Sequence, residues 1–210
     1  MTPPATVHVV DDDSSFLTAV SRLLRAGGYV VQTFPSAGEF LKRRSSDTAG
    51  CVVLDLRMPG PNGMELQAAL AKADNPLPVI FLTGHGDIPT SVRAMRRGAV
   101  DFLTKPVKKE ELFDAVRRAL DRDASEHQQR ARRQALQKRY DTLTPREREV
   151  LTHVIAGQLN KQIAGNLATS ERTIKAHRAA IKHKLDVESV AELVRLAQHL
   201  DIQPSLAAKP

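Results

Sequence analysis

The sequence predicts a doubly wound, five-stranded parallel α/β sheet followed by a small all-α bundle, and three observations predict it. Short apolar runs alternate with helical patterns through the first 120 residues. Each run ends in a polar or charged residue, and after Leu120 only helical patterns follow. Strand and helix in alternation imply a parallel sheet with right-handed crossovers.

The elements follow in order. Val7 to Val10 is the first apolar run and leads into Asp11-Asp12-Asp13. Phe16, Leu17, Val20, Leu23 and Leu24 then repeat at helical spacing until Gly27-Gly28, a natural helix stop. Tyr29 to Thr33 reads as a strand and Phe40-Leu41 as part of a short helix. Cys51 to Leu54 runs into Asp55, and Met64, Leu66, Ala69 and Leu70 give the next helix. Val79 to Leu82 ends in Thr83, with Val92 and Met95 marking the helix after it. Val100 to Thr104 ends in Lys105-Pro106, and Leu112, Phe113, Val116 and Leu120 form the last helix of this half.

Residues 121–138 are rich in Arg and Gln with no Pro or Gly, so the preceding helix is expected to continue as a connector. Val116, Leu120, Ala124, His127, Ala131, Ala135 and Leu136 form a narrow stripe, which fits a dimerising linker or a merely solvated one. A second globular segment begins at Asp141. Thr144 as N-cap, Pro145 at the first helical position and Glu147 at the third start its first helix, and Gly157 ends it. Residues 160–167, a turn around Ala168-Thr169-Ser170, and a helix from Glu171 to about Leu185 outline a helix-turn-helix. A last amphipathic helix runs from Ser189 to Leu200.

In a parallel sheet the strand-end polar groups share the carboxyl edge, where open α/β sheets bind ligands. Carboxylates, a hydroxyl and an ammonium gathered there suit a hard cation and a phosphoryl group. Asp55 is then a candidate nucleophile that accepts the phosphoryl group. Solvated strand ends account for any one of these residues, but poorly for all of them together.

Charge is uneven along the chain, with a net of 0 over residues 1–116, +5 over 117–139 and +2 over 140–210. The excess points to a polyanion for the second half, against the plainer reading of a solvated basic linker. In the helix from Glu171, Ile174, Ile181 and Leu185 form the core stripe, while Arg172, Lys175, Ala176, Ala179, Lys182 and His183 lie opposite. Residues 172–184 carry five Lys/Arg and no acid. Small alanines between long basic side chains let a helix approach base edges while the cations reach phosphates. The single cysteine, Cys51, forms no intramolecular disulfide and sits in a predicted buried strand. No leader pattern and no long apolar span is read from the sequence, so a cytoplasmic protein without membrane contact is expected.

Two resemblances follow. Val10-Asp11-Asp12-Asp13, Leu54-Asp55-Leu56-Arg57-Met58-Pro59, Thr83-Gly84-His85-Gly86-Asp87 and Lys105-Pro106 resemble the motifs of the flavodoxin/CheY-like receiver domain of two-component response regulators. The resemblance implies that Asp11, Asp12 and Asp55 hold Mg²⁺ with the Arg57 backbone carbonyl. It makes Asp55 the phosphoacceptor, sets Thr83 and Lys105 on the phosphoryl group, and makes Phe102 the aromatic that switches with Thr83. Leu143 to Leu151, Asn160 to Ala164 and Thr173 to Arg178 resemble the LuxR-type helix-turn-helix, a four-helix domain. By position, Lys175, Ala176 and Ala179 would face bases, while Arg172, Thr173, Arg178 and Lys182 would bind phosphates. Members of that family commonly carry Val where this chain has Ala176, so base preference is not inherited.

The combination resembles the NarL/FixJ class, and residues 83–89 lean toward FixJ. Expected domains are a receiver over 1–120, a helical linker over 121–140, the DNA-binding domain over 141–203 and a flexible tail over 204–210. Expected partners are a sensor histidine kinase, double-stranded promoter DNA, RNA polymerase and a second copy of the chain. The expected role is transcription activation as a dimer switched by phosphorylation of Asp55. Two other classes compete. A haloacid-dehalogenase-like phosphatase or phosphomutase would need a second Asp two residues past the nucleophile, where Arg57 stands. A pure interaction protein would offer its basic face to protein or RNA. The expectation is therefore a regulator and not an enzyme.

Overall fold

The computed structural model describes residues 5–45, 48–84 and 88–205. The chain divides into two compact units, residues 1–127 and 128–210, so the division falls inside the span expected to be linker.

In the first unit, five parallel strands are laid out in the order β2-β1-β3-β4-β5. They are β1 (Thr6–Val10), β2 (Val30–Phe34), β3 (Gly50–Leu54), β4 (Val79–Thr83) and β5 (Asp101–Thr104). Between them come α1 (Ser14–Ala26), α2 (Ala37–Arg43), α3 (Gly63–Ala71) and α4 (Ile88–Arg96), and α5 (Lys109–Asp141) follows. The central strands β3 and β4 read as apolar runs, buried along their whole length, because both faces of the sheet are covered there. Val52, Leu54 and Phe81 pack with Phe40, Leu66, Leu70 and Ala94 on one face. Cys51, Val53, Ile80 and Leu82 pack with Leu17, Leu24, Leu112 and Val116 on the other. A period of two along each strand sorts neighbouring residues to opposite faces in this way.

Val92 and Met95, which mark the fourth helix in the sequence, do not enter the core. Thr90 and Ala94 are the buried residues of α4, and Ile88, Val92 and Met95 form an exposed apolar stripe. Residues 85–87, with the His85-Gly86-Asp87 part of the receiver motif, lie outside the described residues, as do residues 206–210 of the expected tail.

Helix α5 is continuous over 33 residues, as the absence of Pro and Gly predicts. Its first turns belong to the sheet's core through Leu112, Ala115, Val116 and Ala119. Asp123, read in the sequence as part of a polar connector, is instead buried, and its Oδ2 accepts the Gly50 backbone N–H at 2.8 Å. Gly50 allows this close packing at the start of β3: its φ is +127°, and a Cβ there would fall 1.8 Å from the Thr6 carbonyl oxygen. Of the expected stripe, Ala124, Ala131 and Ala135 are exposed, while Leu136 packs against the core of the second unit, as does Tyr140, which is not part of that stripe.

The second unit holds the end of α5 with α6 (Pro145–Ile155), α7 (Asn160–Asn166), α8 (Glu171–Leu185) and α9 (Val190–His199). Its core joins Val150, Leu151 and Val154 to Ile163, Ile174, Ile181, Leu185, Leu193 and Leu196. The capping box forms as predicted, with the Glu147 N–H donating to Thr144 Oγ1 at 3.2 Å and the Thr144 N–H to Glu147 Oε2 at 2.7 Å. Glu147 also receives Lys184 Nζ at 2.7 Å, joining α6 to α8. The turn between α7 and α8 passes through Ala168 at φ +48°.

Candidate functional site

The register of the sheet assembles the first site. Val10 pairs with Leu54, so Asp11 and Asp55 leave adjacent strands side by side. The Asp55 N–H donates to the Val10 carbonyl at 2.9 Å, which holds that level. On the next pair Thr83 lies opposite Thr104, and the Lys105 N–H donates to the Thr83 carbonyl at 2.9 Å. The sheet therefore gathers Asp11, Asp55, Thr83 and Lys105 at one edge.

The charges there are tightly coupled. Lys105 Nζ reaches Asp11 Oδ2 at 2.5 Å and Asp55 Oδ1 at 3.1 Å, and stands 3.9 Å from the Phe16 ring centroid. Asp55 Oδ2 accepts the Arg57 backbone N–H at 2.7 Å, and Asp11 Oδ1 accepts the Asp13 N–H at 3.0 Å. Asp11, Asp55 and Thr83 are all buried, at 2%, 6% and 1% exposure. Burial raises the Asp11 pKa and outweighs its bonds to Lys105 and the Asp13 N–H. Burial alone would lower the Lys105 pKa, but its bonds and attraction to the two carboxylates prevail and raise it. Gly63 lets α3 press in behind: a Cβ there would meet the Asp55 carbonyl oxygen at 2.4 Å.

Of the remaining predicted residues, Asp12 is exposed at the same edge. Asp13 has a local task, since its side chain caps α1 by accepting the Ser15 and Phe16 N–H groups at 2.9 and 3.1 Å. Phe102 is half-buried with its ring 5.8 Å from that of Phe81. Among the described residues no three His, Cys, Asp or Glu side chains cluster closely enough to hold a metal ion unaided. The donor set nevertheless fits Mg²⁺, which typically takes one or two carboxylates and completes its shell with water and phosphate oxygens.

The second site is the exposed face of α8. Arg172, Thr173, Lys175, Ala176 and Ala179 are exposed, and Arg178 and Lys182 are half-buried. Ser170 caps the helix by accepting the Thr173 N–H at 3.1 Å, and its hydroxyl lies 2.8 Å from the Thr173 hydroxyl. Arg178 Nη1 donates to Asn160 Oδ1 at 2.9 Å, across from α8 to the first residue of α7. The sequence contains Asn160 in a motif but gives no sign of this partnership.

A phosphoacceptor geometry on a doubly wound sheet, carried by the same chain as a helix-turn-helix with a basic second helix, defines a DNA-binding response regulator. Comparison with known proteins gives the same answer and the family. Residues 7–117 match the response regulator receiver domain, and residues 141–197 match the bacterial regulatory proteins of the luxR family. The chain belongs to the two-component response regulators with a LuxR-type DNA-binding domain, the NarL/FixJ class.

It is 42% identical over 194 residues to the response regulator protein TodT of Pseudomonas putida, covering 92% of this chain and 86% of that one. It is 40% identical over 204 residues to the transcriptional regulatory protein FixJ of Azorhizobium caulinodans, covering 97% of both. Among solved structures, the response regulator StyR matches with a TM-score of 0.82 at 46% identity, covering 93% of this chain and 99% of that one. Among the described residues no helix is long and apolar enough to cross a membrane.

Proposed function

We propose that phosphorylation of Asp55 switches this transcription regulator between two states. The observation that carries the reading is the buried Asp55 carboxylate, held by Lys105 Nζ at 3.1 Å and by the Arg57 N–H at 2.7 Å. A carboxylate so fixed has little orientational freedom left to lose before it attacks. An Asp55 oxygen bonds to the phosphorus of a phosphohistidine on a sensor kinase, the phosphorus–nitrogen bond breaks, and the kinase imidazole leaves with its electron pair. Asp11, Asp12 and Asp55, with the Arg57 carbonyl, would hold Mg²⁺. The ion would neutralise charge on the transferring group. Lys105 and the Thr83 hydroxyl then bind the phosphoryl oxygens, and Phe102 follows Thr83 inward.

The new charge, about −2 at neutral pH, acts on α4 and β5, next to the exposed Ile88, Val92 and Met95. Covering that stripe with a second copy makes a dimer and sets two recognition helices on adjacent major grooves. In each copy Lys175, Ala176 and Ala179 face bases, while Arg172, Thr173, Arg178 and Lys182 bind phosphates. RNA polymerase is the downstream partner, the output is activation, the cytoplasm is the site of action, and no phosphate-ester turnover is expected. Light scattering of wild type and Asp55→Asn, with and without Mg²⁺ and a small phosphodonor, tests this. A mass that doubles only for phosphorylated wild type supports it. Wild type that stays monomeric after uptake rejects dimerisation.

A further inference from the structure

We propose that Asn160 is a positioning residue of the DNA interface, orienting the Arg178 guanidinium toward a backbone phosphate without cancelling its charge. This rests on the reading of α8 as the DNA-contacting helix and adds to it a residue on the preceding helix.

The way other arginines of this unit are held supplies the argument. Arg133 stands against Asp201, Arg139 against Asp186, Arg146 against Glu149 and Arg148 against Asp141, at 2.8, 3.1, 2.7 and 3.9 Å. Lys184 is likewise held by Glu147. Arg178 is treated differently: its partner is a neutral amide oxygen at 2.9 Å. A carboxylate there would hold the side chain and also remove the field that attracts a polyanion. An amide only holds it.

The geometry fits the task. Arg178 follows Lys175 by three residues and precedes Lys182 by four, so it shares their side of α8. One N–H of the guanidinium is used by Asn160 Oδ1, and a planar fork of five donors leaves the others for phosphate oxygens. The Asn160 amide nitrogen lies beside this fork and has two donors of its own. Both residues are half-buried, so the guanidinium is fixed before DNA arrives and less rotamer freedom is lost on binding. The same bond also ties α7 to α8, and the test must separate these tasks.

The full-length phosphorylated protein is titrated against a duplex that the wild type enriches from a random pool, over a range of salt. Thermal midpoints of all variants are recorded. Arg178→Ala should weaken binding about tenfold and lower the slope of log affinity against log salt by about 1. Asn160→Ala should weaken binding several-fold, and adding it to Arg178→Ala should cost nothing further. Asn160→Asp separates the readings, because it turns the neutral contact into an ion pair. The midpoint should hold or rise, while affinity and salt slope fall as far as in Arg178→Ala.

If Asn160→Asp binds as well as wild type, or if Arg178→Ala moves the midpoint but neither affinity nor slope, the pair is only an interhelical tie and the proposal is overturned. If Lys175→Ala also has no effect, the DNA-contact reading of α8 fails with it, and that failure is visible as a separate result.

Discussion

The receiver and the DNA-binding unit place their proposed functional groups in opposite environments. In the receiver, Asp11, Asp55 and Thr83 are buried at the sheet edge, and one ammonium holds two carboxylates together. In the DNA-binding unit, Arg172, Lys175, Ala176 and Ala179 face solvent, while Ile174, Ile181 and Leu185 on the same helix hold the fold. Burying charge is expensive unless it is paired. Function and stability are therefore bound together in the first region and separable in the second.

Substitutions can sharpen or break that contrast. Asp55→Asn should abolish phosphoryl uptake from a small phosphodonor, read as loss of the shifted band on a phosphate-affinity gel, and leave the fold intact. Uptake retained at wild-type level would reject the assignment.

Acid should act next most strongly, and through the receiver. His8 is buried at 4% exposure with its ring 5.5 Å from Phe40, and burial pushes its pKa from 6.5 down to about 4. The unfolded chain binds a proton near pH 6.5, whereas the folded chain does so only near pH 4. Stability is thus fully present above 6.5 and falls by about 3 kcal/mol as pH drops toward 4. Urea midpoints across that window should follow this curve for wild type and flatten for His8→Phe. An unchanged slope in the variant would remove His8 from the account.

Lys105→Met leaves Asp11 and Asp55 facing each other without a cation, and should lower stability at neutral pH by about 2 kcal/mol, less than a fully buried pair because Lys105 is partly exposed. Asp11→Asn should move the other way, since burial disfavours the ionised form. Urea denaturation measures both, and equal signs would contradict the coupling argued here. Lys175→Ala should weaken specific DNA binding by about 1 to 3 kcal/mol and shift stability by no more than about 0.5 kcal/mol. A large loss of stability there would erase the contrast.

Much of this was legible in the chain. Strands covered on both faces read as plain apolar runs, and Asp11, Asp55, Thr83 and Lys105 stand out because each follows such a run. The unbroken connector helix was legible from the lack of Pro and Gly. What stayed hidden depends on approach between distant segments. Asp123 lies in a polar stretch and reads as solvated, yet it meets a backbone N–H 73 residues away. Asn160 and Arg178 are 18 residues apart and belong to different helices, so no periodicity links them. Val92 and Met95 have helical spacing, but spacing alone does not say which stripe of α4 faces the sheet, and Ala94 takes that place.

Cys51 lies in the middle of the sheet with no exposed surface, and burial pushes its thiol pKa up to about 12. It is the chain's one sulfhydryl, so the folded protein should behave toward thiol reagents as though it had none. A cysteine introduced on α8 or α4 could then carry a fluorophore without first removing the native one. Labelling of Cys51 itself would time the opening of the sheet, giving the receiver a built-in clock for unfolding.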